Sequence, residues 1–425
     1  MRAFKAISAG ILTLAGLLGA EPSAQAGNLI TLANFNYLNG AFPVTGVTLD
    51  GQGNIYGTTA GGGYGVYNDG TVFEINHATG ALTTIVKFNG TNGQGPDGKL
   101  SFDAQGNLYG TTSSGGASNR GTLFEINHAT GALSTLVNFN GTNGASPSGQ
   151  LAVDGQGNIY GTSSAGGPGG GGTVYEFNHA SGTLSTLAAF SSNAAVGGNP
   201  VSGITLDSQG NLYGTGLLNG SIEGGKLFEI NHATGALSVL HDFGFEGAGT
   251  GGYVFDSQGN LYGVTTEGEL FELVRSTGAY VPLGYVGGQV SGTAGLVMDS
   301  QGNLYGTTEL NTVISYGSIF EYDRATGKVT GLAYFTGTNG AYPFAGLTFD
   351  GSGDLYGTTD SGGAYGTRAV GTVFELTPPF TAVAPPPPPP PPYVPEPSTF
   401  VMLAVAAGCA APMVWRRGRD ARRAG

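Results

Sequence analysis

One phrase returns seven times along this chain: an Asp, two variable residues, Gly, Asn or Asp, Ile or Leu, Tyr, Gly. The copies begin at Asp50, Asp103, Asp154, Asp207, Asp256, Asp299 and Asp350, with steps of 53, 51, 53, 49, 43 and 51 residues. A period of this size means one supersecondary unit stacked repeatedly, so the repeat constrains the fold before any other feature is read. It also makes the recurrent residues architectural first and functional second.

A second phrase follows each first one: Gly, a variable residue, an aliphatic, an aromatic, Glu. It spans 70–74, 121–125, 172–176, 225–229, 268–272, 317–321 and 371–375. Each unit therefore carries four short β-rich runs separated by turn residues. In the first unit the runs are 46–49, 54–58, 71–76 and 82–88. Asp50 to Asn54 and Asn76 to Gly80 supply the Asx and Gly positions of tight reversals. Four strands per unit of about fifty residues match a propeller blade. The seventh unit stops after its third strand, at Leu376, while residues 29–35 resemble the fourth strands 82–88 and 133–139. The expected fold is all-β: a seven-bladed β-propeller of four-stranded blades, closed by the N-terminal strand completing the last blade. Closure hides edges that would otherwise template aggregation.

The ends read as addresses. Residues 1–26 combine Arg2 and Lys5, an apolar middle at 11–18, and Ala24-Gln25-Ala26, the pattern of a cleaved signal peptide. The propeller is expected over 27–380. A Pro-rich linker follows over 381–393, with an unbroken Pro run from Pro385 to Pro392 that forms an extended spacer. Residues 394–425 hold Pro395, Glu396 and Pro397, an apolar stretch at 400–415 and an Arg cluster from Arg416. Read plainly, that is a membrane tail with its basic end inside. The order of parts also resembles the PEP-CTERM sorting signal of Gram-negative bacteria. That resemblance implies processing by an exosortase, transient anchoring by the C-terminal helix, and a final place at the cell surface or in the exopolysaccharide matrix. The tandem units resemble the Gloeo/Verruco-type repeat of exported bacterial proteins over Thr48 to Leu376, which implies fold and location but no activity.

Charge narrows the partners. Between Gly27 and Phe380 there are 25 acidic and 8 basic residues, a net charge near −17. Nucleic acid is not expected as a partner, since binding it needs a basic surface. The lone Cys409 excludes an intrachain disulfide. A monomer is expected.

Candidate chemistry is sparse. His77, His128, His179 and His232 occupy one turn position in four units, so symmetry spreads them too far apart to share a metal. His241 stands alone. The Asp-x-x-Gly-Asn turns each offer fewer oxygens than Ca²⁺ takes. The seven glutamates of the second phrase are expected to accept hydrogen bonds from neighbouring strands, and the seven motif tyrosines to pack between blades. No catalytic residue, metal or cofactor is assigned. The units differ most between their second and third strands, at 59–69, 113–120, 163–171, 216–224, 265–267, 308–316 and 359–370. These connections lie on the ring face opposite the uniform turns, where variation serves specificity. That face is expected to carry Tyr64, Tyr67, Asn68, Asp69, Arg120 and Glu223, and further on Glu309, Asn311, Tyr316, Asp360, Tyr365 and Arg368. Tyrosine with amides and charges suits a sugar, because rings stack on it and polar groups bond its hydroxyls. The favoured reading is a non-enzymatic surface or matrix protein that binds polysaccharide or another envelope component. One alternative is an extracellular lyase or hydrolase using Asp69, Glu223, Glu309, Asp360 and Arg368 for acid/base work. The other is a passive matrix component.

Overall fold

The computed structural model describes residues 29–63, 69–191, 197–200, 202–218, 221–244, 247–291, 294–311, 316–365, 370–380 and 383. The signal segment, most of the Pro-rich linker and the tail with Pro395, Glu396 and Pro397 lie outside them. No helix occurs among the described residues, so none there is long and apolar enough to cross a membrane.

Seven antiparallel sheets form the ring, each built on four strands, with the innermost of the fourth blade split into Gly198–Pro200 and Thr205–Leu206. In the first blade they are Thr48–Leu49, Ile55–Thr59, Thr71–Ile75 and Leu82–Lys87. The innermost strand is shorter than the sequence suggests. Its ladder stops at Thr48 and contact resumes only at the bridge between Ala41 and Gly61. The cause is crowding at the axis: a Cβ on Gly46 would lie 2.8 Å from the Gly346 carbonyl oxygen of the neighbouring blade. A second difference falls at 216–224, where a loop is expected. Strands Leu212–Leu218 and Ser221–Ile230 run through it as an extended hairpin.

The motif glycines have steric reasons. Gly70 adopts a φ of 93°, and a Cβ there would sit 2.4 Å from the Thr59 carbonyl oxygen and 2.5 Å from Pro96 Cδ of the next blade. On Gly57 a Cβ would meet the Phe73 ring at 2.5 Å.

Ring closure follows the expected register. Strand Leu29–Asn34 pairs with Thr372–Leu376, from Leu29 opposite Leu376 to Asn34 opposite Thr372. Phe35 N–H then donates to the Gly371 carbonyl at 3.0 Å, the same bond that Phe88 makes to Gly70 and Phe139 to Gly121. The core is a ring of inter-blade clusters, one at each of the seven interfaces. At their centres an aromatic closing one blade tilts against the third-strand aromatic of the next. Phe88 and Phe124 are 5.3 Å apart, Phe139 and Tyr175 5.2 Å, and the closing pair Phe35 and Phe73 5.1 Å. The closing interface is therefore packed like the internal ones.

Candidate functional site

The face of uniform turns is fully wired. Asp50 Oδ1 accepts from the N–H groups of Gln52 and Asn54, both at 2.9 Å. Its Oδ2 accepts from Asn54 Nδ2 at 2.8 Å and from the Tyr56 hydroxyl at 3.2 Å. That hydroxyl also stands 3.3 Å from Glu74 Oε1. The arrangement repeats, tightening to 2.8 Å between Tyr262 and Glu272 and 3.0 Å between Tyr305 and Glu321. Burial, then the two carboxylates, pushes each of these phenols above its ordinary range. The repeated Asp, Tyr and Glu thus hold the blade together. The four turn histidines are exposed, and their backbone N–H groups serve the fold: His77 N–H donates to Asn54 Oδ1 at 2.9 Å. Arg275 and Arg324 take that position in later blades and reach back one blade, Arg324 to Asp256 Oδ2 at 3.1 Å. In the last blade the exiting chain does the same work, with Phe380 lying 5.6 Å from the Tyr305 ring. Among the described residues, no three His, Cys, Asp or Glu side chains gather as metal ligands.

The opposite face carries the variation. Of the expected residues, Tyr64, Tyr67, Asn68 and Arg368 lie outside the described residues, as do the side chains of Glu223 and Asn311. The others fall on two repeat positions and one loop. Asp69, Arg120 and Tyr316 each precede the third-strand Gly, and their carbonyls accept from the next blade: Gly95, Ser146 and Tyr342 N–H at 2.9, 2.9 and 3.0 Å. Asp69 is buried rather than presented, with Oδ2 unpartnered, and Arg120 is exposed in a different blade. Glu309 and Asp360 each follow a second strand, Leu304–Thr308 and Leu355–Thr359, in neighbouring blades. Burial and then the Asp360 charge push the Glu309 carboxyl up; burial pushes Asp360 up against the bond it accepts from Ser361 at 2.6 Å. Tyr365 stands in the loop of the seventh blade.

Sequence reasoning missed a second ring. The residue before each inter-blade Pro takes a left-handed φ: 59° at Phe42, 50° at Ser146, 47° at Asn199 and 56° at Tyr342. Bulky side chains rarely adopt this conformation. Tyr342 lies 6.4 Å from Tyr316 and 6.4 Å from Phe344, and Tyr37 lies 5.8 Å from Phe42. Tyr316 is 42 % exposed, Tyr365 51 % and Tyr37 42 %. Asp360 N–H donates to the Tyr342 carbonyl at 3.0 Å, so the Tyr316 and Tyr342 pair adjoins the start of the seventh blade's loop. The recurring X-Pro step was the signal for it.

A third feature is the central channel, a cavity of about 240 Å³ lined from all seven blades. Four residues before the repeat Asp stands Gly in five units, at 46, 203, 252, 295 and 346, but Lys99 and Gln150 in the other two. That departure was visible in the sequence. Lys99 reaches past Gly46 of the first blade to donate from Nζ to Thr348 Oγ1 of the seventh at 2.8 Å. Asp97 lines the same channel with Oδ1 unpartnered. Protein on all sides lowers the Lys99 ammonium to about 8 and raises the Asp97 carboxyl to about 7.

A model of the Gloeobacter/Verrucomicrobia repeat family matches residues 64–275, from the loop before the first blade's third strand to the end of the fifth blade's. No curated protein matches the chain. Among solved structures, it is similar to two extracellular domains assigned to signalling systems of B. thetaiotaomicron. One, of a hybrid two-component system, is 17% identical with a TM-score of 0.56 over 81% of this chain and 40% of that one. The other, of a one-component system, is 12% identical with a TM-score of 0.54 over 80% and 39%. The chain therefore spans only about two fifths of those domains. A fungal alcohol oxidase of the AA5 family, in complex with copper, is 15% identical with a TM-score of 0.55 over 82% and 75%. At such identities the likeness establishes the propeller fold alone.

Proposed function

We propose that this chain is an exported surface or matrix protein that binds a neutral or amino-bearing polysaccharide on the loop face of its sixth, seventh and first blades. The observation that carries the reading is the pairing of exposed Tyr316 with Tyr342, whose carbonyl accepts from Asp360 N–H at 3.0 Å, with Tyr365 exposed in the loop that follows and the Asp360 charge acting on Glu309. Exposed rings stack on pyranose faces and carboxylates accept from sugar hydroxyls. The acidity of the propeller disfavours polyanionic glycans. Export rests on the signal-like residues 1–26, and the extracellular neighbours agree with it. The Pro-Glu-Pro tail suggests sorting by an exosortase-type enzyme, with membrane attachment before processing. The chain leaves the ring beside the uniform turns, where Phe380 meets Tyr305 and Val383 N–H donates to Gly331. An attachment through that end leaves the loop face free to meet ligand. Pull-down on host exopolysaccharide and a glycan array tests the reading: saturable binding that Tyr316→Ala and Tyr365→Ala abolish supports it, and no binding to any sugar rejects it.

The Glu309 and Asp360 pair favours one further reading, an extracellular lyase or hydrolase. Two neighbouring carboxylates with raised proton affinity are suited to acid/base work. Glycan turnover that Glu309→Gln reduces about 100-fold or more, with binding retained, would establish it. Binding without turnover would leave the patch as a recognition site.

A further inference from the structure

The channel holds a cation without a counter-charge. An ammonium has three N–H donors. Lys99 gives one to the neutral Thr348 hydroxyl, which itself donates to the Val47 carbonyl at 2.6 Å. Among the described residues no carboxylate lies within ion-pair distance of Lys99, whereas Lys226 and Arg324 each have one and Arg275 has two. The titratable groups lining the channel are Lys99, Asp97 and Tyr253, and the Tyr253 hydroxyl is engaged with Thr215. Gln150, at the Lys99 position of the next blade, keeps its side chain exposed there. Opposite them the ring is glycine, because neighbouring blades approach there: a Cβ on Gly346 would lie 2.7 Å from the Gly295 nitrogen. A half-buried charge whose hydrogen-bond partner is a neutral hydroxyl favours an anion beside it. We propose that the central channel binds one small monovalent anion, a halide or a simple carboxylate, at the Lys99 ammonium beside Gln150. The site is separate from the loop-face patch and does not rest on the saccharide reading.

Proton balance gives the site a direction. Below about pH 7 Asp97 is neutral and the channel carries the Lys99 charge alone; above about pH 8 Lys99 loses that charge. Anion uptake is therefore strongest in acid and lost in alkali. The test uses crystals of the full chain soaked in sodium bromide at pH 5.5 and pH 9, read by anomalous diffraction. The expected result is a single channel peak beside Lys99 Nζ at pH 5.5, lost at pH 9. Formate displacing it would assign a carboxylate site, and failure to displace it a halide site. In solution, bromide should raise Tm saturably at pH 5.5 in the wild type, with that rise lost in Lys99→Met. No channel peak at pH 5.5, or an equal bromide response in Lys99→Met, overturns the proposal. The wild-type diffraction decides it even if the variant does not fold.

Discussion

At the scale of single residues, the most exacting positions are those where side chains depart from the repeat. Asp97 is one. Burial raises its carboxyl from 3.8 to about 7, so the folded chain holds a proton that the unfolded chain releases. The stability this brings is complete below pH 3.8 and is lost as pH rises through 7. Asp97→Asn removes the cost of the buried charge. It should leave stability nearly unchanged at pH 4 and raise it by roughly 1–3 kcal/mol at pH 8. Urea titration at both pH values checks this; an equal effect at both would contradict it. Gly70 is exacting for another reason. Gly70→Ala forces a Cβ against the Thr59 carbonyl at a positive φ and should cost about 2–4 kcal/mol, read from the same titration. Such glycines were legible in the sequence because they recur. Lys99 and Asp97 were not, because a single departure from a repeat gains meaning only once the ring places it on the axis. Phe42 and Tyr342 were missed because the recurring X-Pro step marks their position but not the sign of φ.

At the scale of strands, the sequence already showed which segment closes the ring, since residues 29–35 match other fourth strands and the last unit lacks one. It did not show that most inner strands shrink to two residues such as Thr48–Leu49, while the third blade's runs nine over Ala145–Val153, because that depends on how closely neighbouring blades approach at the axis. Nor did it show the extended hairpin across 216–224, where glycines suggested a loop. Closure sets the stability of the whole. Phe35 is fully buried against Phe73, so Phe35→Ala should cost about 3–5 kcal/mol. Deleting residues 29–35 removes the partner of strand Thr372–Leu376 and leaves an open edge. That truncation should aggregate on storage while the point variant stays soluble, as light scattering would record. A truncation as stable and monodisperse as the parent would mean that the N-terminal strand is not the closing element.

At the scale of the whole molecule, the two faces of the ring divide the labour. On one, the repeated Asp, Asn, Tyr and Glu spend their polar atoms on one another, and Arg275, Arg324 and Phe380 tie each blade to the one before. On the other, connections vary, rings stay exposed and the Asp360 charge acts on Glu309. Glu309 and Asp360 fall at one repeat position in consecutive blades, 51 residues apart, and the sequence alone did not show that the charge of one acts on the other. The most direct test of the central claim is binding of the purified protein to host exopolysaccharide, compared with Tyr316→Ala/Tyr365→Ala after both are shown to be folded. Loss of about 10-fold or more in affinity, with Tm unchanged, is the expected result, since stacking on each ring contributes on the order of 1 kcal/mol. Equal binding by parent and variant, or none by either, would contradict a recognition site on this face.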